Sequence, residues 1–113
     1  MKLYNKTKNI VLAENVIVAD SFFKRMKGLL GRKELNPGEG LILKPCNSVH
    51  TFFMRFPIDI VFVDKNNKVI KTVLSLRPFF LTGIYLSSHS CIELPSGTIN
   101  STSTVKGDII SLT

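Results

Sequence analysis

Short runs of β-branched and aromatic residues, separated by Asn, Gly, Pro and Asp, recur along most of the chain. Such runs are typical of β-strands, because branched and aromatic side chains pack well on a pleated surface. The predicted strands are KLYN, NIVLA, NVIVA, GLILK, HTFFMRF, IDIVFV, KVIKTVL, SCIELP and DIISL. This pattern predicts a mainly β fold of two packed antiparallel sheets, either a sandwich of jelly-roll type or a small barrel.

Two connections in this pattern are specific enough to predict. The polar stretch Asp64–Asn67 (DKNN) separates two β-rich runs and predicts a hairpin with a turn of moderate length. The segment RPFFLTGIYLSSHS, residues 77–90, contains Pro, Gly and three Ser, and it predicts a long, partly exposed loop despite its aromatic residues.

One segment has a helical period instead of an alternating one. Phe22, Met26 and Leu29 recur at i, i+4 and i+7, which predicts one short α-helix near residues 20–30 that covers the core. Charged side chains occupy the rest of its surface and continue just beyond it. This predicted basic surface consists of Lys24, Arg25, Lys27, Arg32 and Lys33.

A cluster of polar residues interrupts an otherwise apolar run, PCNSVHTFFMRFPIDIVFVD, at residues 45–64. If VHTFFMRF is an extended strand, both of its faces are largely apolar, so it lies between two layers. Arg55 is then part-buried and needs a partner, because an unpaired charge is costly inside a protein. Asp59 and Glu93 are the candidate partners, and the resulting network is either structural or part of a recognition site.

Composition limits the protein's class and its partners. With 113 residues, 44% hydrophobic and 20% charged, the chain is predicted to form a single domain, residues 1–113. The N-terminus interrupts its apolar residues with polar ones, so we expect a cytoplasmic protein without a transmembrane segment, whose two cysteines remain thiols. A net charge of +7 favours an anionic partner, although solubility is an equally simple explanation.

Three blocks of the sequence together resemble a known family. RMKGLLGRKEL (residues 25–35), GLILKPCNSVHTFFMRFPIDIVFVD (40–64) and IELPSGTI with VKGD (92–108) resemble the uncharacterised family called domain of unknown function 192. The resemblance covers nearly the whole chain. It implies a compact, mainly β domain of two sheets with a short helix, and it implies no particular activity.

Several specific chemistries fit part of the residue pattern. Cys46, His50, His89 and Cys91 supply two thiols and two imidazoles, the donor types of a zinc site, although the x3 spacing between the first pair matches no standard knuckle. Cys46 with a histidine base would suit nucleophilic catalysis, but no protease or nucleophile-elbow motif surrounds it.

Two further alternatives rest on charged residues. Asp59 and Glu93 would suit paired acid and base catalysis, but the nearby Arg55 argues for charge neutralisation. Nucleic acid is a possible partner of the basic surface, unsupported by any motif, and the predicted helix could lie on anionic membrane headgroups.

We therefore expect a binding or accessory module, without cofactor or catalytic residue, that recognises a protein or small ligand, most simply an anionic one. The predicted contact residues are His50, Thr51, Met54 and Arg55, supported by Cys46, Asn47, Ser48, Asp59 and Glu93. The alternative is a small hydrolase, or a zinc protein, that uses His50 with Cys46 or a nearby carboxylate.

Overall fold

A computed structural model describes residues 1–19, 35–52 and 54–113. Within these ranges the chain forms eight β-strands and one short helix, which confirms the predicted mainly β class. In chain order the elements are β1 (Leu3–Asn5), β2 (Ile10–Ala13), β3 (Asn15–Ala19), β4 (Glu39–Leu43), β5 (Ile58–Val63), β6 (Val69–Leu76), β7 (Ser90–Pro95), α1 (Thr98–Ser101) and β8 (Ile110–Leu112).

The strands form two sheets, as predicted. The smaller sheet has the order β2-β1-β8 and is antiparallel throughout, while the larger has the order β3-β4-β7-β5-β6. One pair of the larger sheet, β3 with β4, is parallel and so departs from the antiparallel expectation. Residues 20–38 separate these two strands, which is long enough for the crossover connection that a parallel pair requires.

Two hydrophobic clusters cover the two faces of the larger sheet. Strand β5 is buried along its whole length, because its alternate side chains enter different clusters. Val61 and Val63 pack with residues of the smaller sheet, including Leu3 and Ile110. Ile60 and its neighbours on the opposite face pack with residues that precede β5 in the chain. This second cluster includes Val49, Met54, Ile58, Phe62 and Cys91.

The predicted hairpin is confirmed. Strands β5 and β6 pair antiparallel, and the Asp64 N–H donates to the Lys68 carbonyl at 3.0 Å. The Asp64 side chain accepts the backbone N–H groups of Asn66 and Lys68 at 2.8 and 3.0 Å. Asn67 adopts a positive φ of 62°, a conformation that Asn tolerates better than most residues. The Asp64 side chain thus accepts hydrogen bonds from two backbone donors of the turn that the sequence predicted.

The predicted strand HTFFMRF is wrong. Residues 50–52 and 54–56 form turns and bends, with a single isolated bridge between His50 and Leu81. The physical reason is that their backbone groups bond to the loop that follows β6, through pairs such as Thr51 with Phe80, and not to a continuous ladder. The long loop predicted at residues 77–90 is confirmed up to Ser90, where β7 begins.

The helix predicted near residues 20–30 lies outside the described residues, as do Lys24, Arg25, Lys27, Arg32 and Lys33. The described helix α1 was not predicted, since Thr98–Ser101 is too short to show a helical period. No helix in the described ranges is both long enough and apolar enough to span a bilayer.

Candidate functional site

Two loops that are distant in sequence are bound to each other on one side of the molecule. We call them the paired loops, residues 46–57 and 77–89. Thr51 joins them: its backbone N–H donates to Phe80 O at 2.8 Å, and its carbonyl accepts from Phe79 N at 3.0 Å. Its hydroxyl donates to the Arg77 carbonyl and accepts from Phe80 N. Because Thr51 is fully buried, these bonds are shielded from water and hold the loops in register.

Further hydrogen bonds extend this attachment along the loops. Val49 donates its N–H to Thr82 Oγ1 at 2.9 Å, and Thr82 donates its own N–H to Val49 O at 2.9 Å. Tyr85 N donates to Asn47 O at 2.8 Å. Backbone bonds therefore join the two loops, although neither contains a regular strand among its described residues, 46–52, 54–57 and 77–89.

The ordered loops expose large apolar side chains. The exposed fraction rises from 37% for Phe52 to 86% for Leu86, and the His50 ring lies 5.1 Å from the Phe52 ring. The exposed apolar residues of the paired loops are Phe52, Phe79, Phe80, Leu81, Ile84 and Leu86. We call these six the apolar patch. The sequence prediction missed it, although apolar residues in a Pro- and Gly-containing loop were its visible signal.

The charge around the apolar patch is positive. Arg55 and Arg77 are both exposed, as are His50 and His89. The sequence contains no Asp or Glu between residues 40 and 58 or between 65 and 92. The paired loops themselves therefore present cationic and apolar groups without acidic ones.

The four predicted contact residues divide into two pairs. His50 and Arg55 are exposed, whereas Thr51 and Met54 are buried, at 0% and 4% exposure. A buried side chain cannot meet a ligand on the surface, so Thr51 and Met54 position the loops. Of the residues predicted to shape the turn, Asn47 and Ser48 are exposed, and Cys46 Sγ donates to the Ser48 carbonyl at 3.1 Å.

The expectation that Arg55 is part-buried and paired with Asp59 or Glu93 is wrong. Arg55 is exposed, and no ion pair within the described ranges joins it to either carboxylate. The reason is that its segment is not a strand between two layers, so the guanidinium reaches water and avoids the cost of desolvation.

Asp59 instead bonds to backbone groups. Its carboxylate is fully buried. Oδ1 accepts from Ser75 N at 2.9 Å, and Oδ2 accepts from Gly97 N at 3.1 Å and Ile99 N at 2.9 Å. Two of these donors belong to the start of α1, whose first N–H groups have no partner within the helix. Asp59 therefore has a structural role, joining β5, β6 and α1.

Glu93 is buried without such compensation. It is 4% exposed, and Oε2 has no hydrogen-bond partner among the described residues. Burial, with a further contribution from negative charge on Cys46, raises the pKa of this carboxyl to about 8. A carboxyl with this pKa is largely protonated at neutral pH, which lowers the cost of keeping it in the core.

Cys46 and Cys91 meet beside Glu93. A hydrogen bond with the Cys46 side chain raises the pKa of the Cys91 thiol, and burial raises it further, while a hydrogen bond with Ser88 opposes the shift. Both cysteines are thiols, as predicted from the sequence. The buried Cys91 packs in the second hydrophobic cluster, and the part-buried Cys46 lies against it.

The four residues of the zinc hypothesis are not gathered around a common point. Within the described ranges no group of three His, Cys, Asp or Glu side chains is placed to hold a metal ion. Cys46 and Cys91 meet, but His50 and His89 are exposed and do not complete a ligand set. No hydrogen bond between described residues joins His50 to Cys46, Asp59 or Glu93, the geometry that the hydrolase alternative needs.

A separate cleft lies between the two sheets, and its described lining contains no residue of the paired loops. Its volume is about 280 Å³. Apolar residues such as Leu3 and Ile92 line it, together with Lys44, Asn67 and Ser90. None of the predicted site residues lines this cleft, so it forms no part of the site predicted from the sequence.

Comparison with known proteins places this fold in a family. The family model described as "Uncharacterized ACR" (DUF192) matches residues 3–112. A UPF0127 protein of Thermococcus sibiricus is 34% identical over 112 residues, spanning 96% of this chain and 72% of that protein. A UPF0127 protein of Pyrococcus horikoshii is 33% identical over 114 residues, spanning 96% of each.

A solved structure supports the same fold. A protein of unknown function from Novosphingobium aromaticivorans matches with a TM-score of 0.86 at 20% identity, covering 99% of this chain and 84% of that one. These matches agree with the resemblance found in the three sequence blocks. The chain therefore belongs to the DUF192 family, domain of unknown function 192.

Proposed function

We propose that this protein is a non-catalytic binding module whose paired loops recognise a segment of a partner protein that carries apolar and acidic side chains. The observation that carries the proposal is the apolar patch. Five large apolar residues between positions 79 and 86 are at least 53% exposed, although the chain has a core in which apolar side chains are more stable.

The order of the loops supports recognition. The hydrogen bonds of Thr51 and Thr82 hold the backbone that presents the patch. A surface held in one conformation loses less entropy on binding than a mobile one. Several exposed apolar groups on two loops that are bonded to each other fit an interaction site, whereas single exposed apolar residues are ordinary.

The charge of the loops supports an acidic partner. Arg55 and Arg77 are exposed in loops that contain no acidic residue, and the chain as a whole has a net charge of +7. Positive charge beside an apolar surface favours a partner with the opposite charge and accelerates its association at low salt. His50 and Arg55 are the two predicted contact residues whose exposure fits this role.

The experiment compares capture from native cell extract by the wild type, an Ile84→Ser/Leu86→Ser variant and a His50→Ala/Arg55→Ala variant. Leu74→Ser is the matched control, because Leu74 is 50% exposed on β6, outside the paired loops. Any captured protein is then purified, and its affinity for each variant is measured at low and moderate salt.

The expected result is a partner protein that binds the wild type and Leu74→Ser equally, and that binds the loop variants at least about tenfold more weakly, as the loss of hot-spot residues predicts. Its affinity for the wild type should also fall as salt rises. A partner that binds the loop variants as tightly as the wild type would disprove the proposal. So would binding only to nucleic acid or to acidic liposomes.

A further inference from the structure

Three reactive groups lie together on the face of the larger sheet that carries the second hydrophobic cluster. Cys91 and Glu93 are two residues apart on β7, so their side chains point to the same face. Cys46 reaches this face from the turn that follows β4, and its backbone N–H donates to the His89 carbonyl at 3.1 Å. Ser88 Oγ donates to the Cys46 carbonyl at 2.9 Å, so the turn is attached at two points to the segment that leads into β7.

The two thiols differ in their access to solvent. Cys91 is fully buried, whereas Cys46 is part-buried at the edge of the cluster. A reagent from solvent therefore meets Cys46 first. Cys91 can react only with a group that already occupies the position of Cys46, with which it shares a hydrogen bond.

We propose that Cys46 and Cys91 form a dithiol site that small disulfides oxidise to an intramolecular disulfide, with Glu93 as the proton acceptor for Cys91. The apolar patch contains neither cysteine, so the proposal is independent of the binding function. It assigns a role to Glu93, whose buried Oε2 has no hydrogen-bond partner among the described residues.

The reaction proceeds in two balanced steps. The Cys46 thiolate attacks one sulfur of the small disulfide, forming a mixed disulfide and releasing the first small thiolate, which takes up the proton that Cys46 lost. Cys91 then transfers its proton to the ionised form of Glu93, which is substantially populated only as pH approaches about 8, and attacks the Cys46 sulfur. The second small thiolate leaves and recovers that proton. The protein loses two electrons and two protons, and the small disulfide is reduced to two thiols.

The electrostatics of the cluster support this order of steps. The hydrogen bond with Cys46 and burial keep the pKa of Cys91 raised, so Cys91 is inert while Cys46 is a thiol. Once Cys46 is in the mixed disulfide, it can no longer carry the negative charge that opposes ionisation of Cys91 and Glu93. The first step therefore activates the second.

The test treats the reduced full-length chain with oxidised glutathione at pH of about 8, where Glu93 is partly ionised, and follows the products by intact mass and peptide mapping. The expected product is a Cys46–Cys91 disulfide, lighter than the reduced protein by two hydrogen atoms, with only transient glutathione adduct. Cys91→Ser should stop at a stable adduct on Cys46, and Cys46→Ser should leave Cys91 unmodified. Accumulation of the adduct in the wild type, or no reaction, would overturn the proposal.

The rate at which the mixed disulfide closes tests the role of Glu93. Glu93→Gln keeps the size of the side chain but removes its ability to accept the proton, so closure of the mixed disulfide should slow at least about tenfold relative to adduct formation at Cys46. Glu14→Gln, at an exposed position, is the matched control. Equal closure rates in Glu93→Gln and wild type would remove Glu93 from the reaction. The experiment with oxidised glutathione uses the wild-type protein. A folding defect in a variant therefore cannot explain a negative result in that experiment.

Discussion

The carboxylate of Asp59 accepts the backbone N–H of Ile99 at 2.9 Å, across 40 positions of sequence. Asp59 lies on β5 and Ile99 in the first turn of α1, so this bond connects an inner strand of the larger sheet to the helix. Gly97 N donates to the same oxygen. A buried acidic residue that resembled a partner for Arg55 is therefore a cap for a helix and a connection between elements.

Replacing Asp59 with alanine should destabilise the fold. Three buried or part-buried backbone N–H groups would lose their acceptor, and we expect the free energy of unfolding to fall by at least about 3 kcal/mol. The measurement is urea denaturation. Asp64→Ala is the matched control, because its carboxylate also accepts two backbone N–H groups but in an exposed turn, and its loss should cost about 1 kcal/mol. Equal effects would refute the structural role of Asp59.

Glu93 should make stability fall as pH rises. An ordinary Glu titrates near 4.5, and the buried Glu93 titrates at about 8. Between these values the folded chain retains a proton that the unfolded chain has lost. The contribution of this proton to the free energy of unfolding is therefore fully present below pH of about 4.5, and it is lost as pH rises to about 8. Its size is on the order of 5 kcal/mol.

The test is to compare wild type with Glu93→Gln by urea denaturation across that pH range. The Gln variant should lose this part of the slope and exceed the wild type in stability at the alkaline end, because its amide does not ionise. Parallel pH profiles for the two proteins would contradict the assignment of this slope to Glu93.

Asp108 should make stability fall as pH falls, the opposite of the effect of Glu93. Burial opposes its ionisation, but hydrogen bonds from Asn5, Val105 and Lys8 lower the pKa of its carboxyl. Its contribution to stability is therefore present above the pKa of an unfolded Asp and is lost as pH falls through the lower folded value. Asp108→Asn should cost about 2 kcal/mol at neutral pH, and the difference from wild type should shrink in acid.

Urea denaturation at neutral and acidic pH checks this prediction. Glu14→Gln provides the comparison, because the Glu14 ion pair with Lys2 at 3.4 Å is exposed and should contribute less than about 1 kcal/mol. If the cost of Asp108→Asn were the same at every pH, the ionised carboxylate would not be its source.

Thr51 should control the order of the paired loops. Thr51→Val removes the hydroxyl that accepts from Phe80 N and donates to Arg77 O but keeps the branched shape, and we expect a loss of about 2 kcal/mol. Amide hydrogen exchange at Phe80 should accelerate, while exchange in the β5–β6 hairpin should not. Thr72→Val, at a half-buried position on β6, is the control, and unchanged protection at Phe80 would show that the hydroxyl does not hold the loops.

Much of the fold followed from local patterns. Apolar and β-branched runs predicted most strands, and the polar residues 64–67 predicted the hairpin. The same reasoning failed at HTFFMRF, because a short apolar run has the same appearance whether its backbone bonds to a strand or to a loop. Four contact residues were predicted from the sequence, but Thr51 and Met54 are buried, and the exposed apolar patch was missed.

The sequence by itself determined the mainly β class, the exposed loop after β6, the basic charge and the family. Only the tertiary structure decided which polar groups meet. Thr51 bonds to Arg77, Asp59 bonds to Ile99, and Cys46 meets Cys91. The physical reason is that alternation along a strand assigns each side chain to a face through local geometry. Contacts between distant residues depend on strand order and on where buried donors and acceptors can all be satisfied.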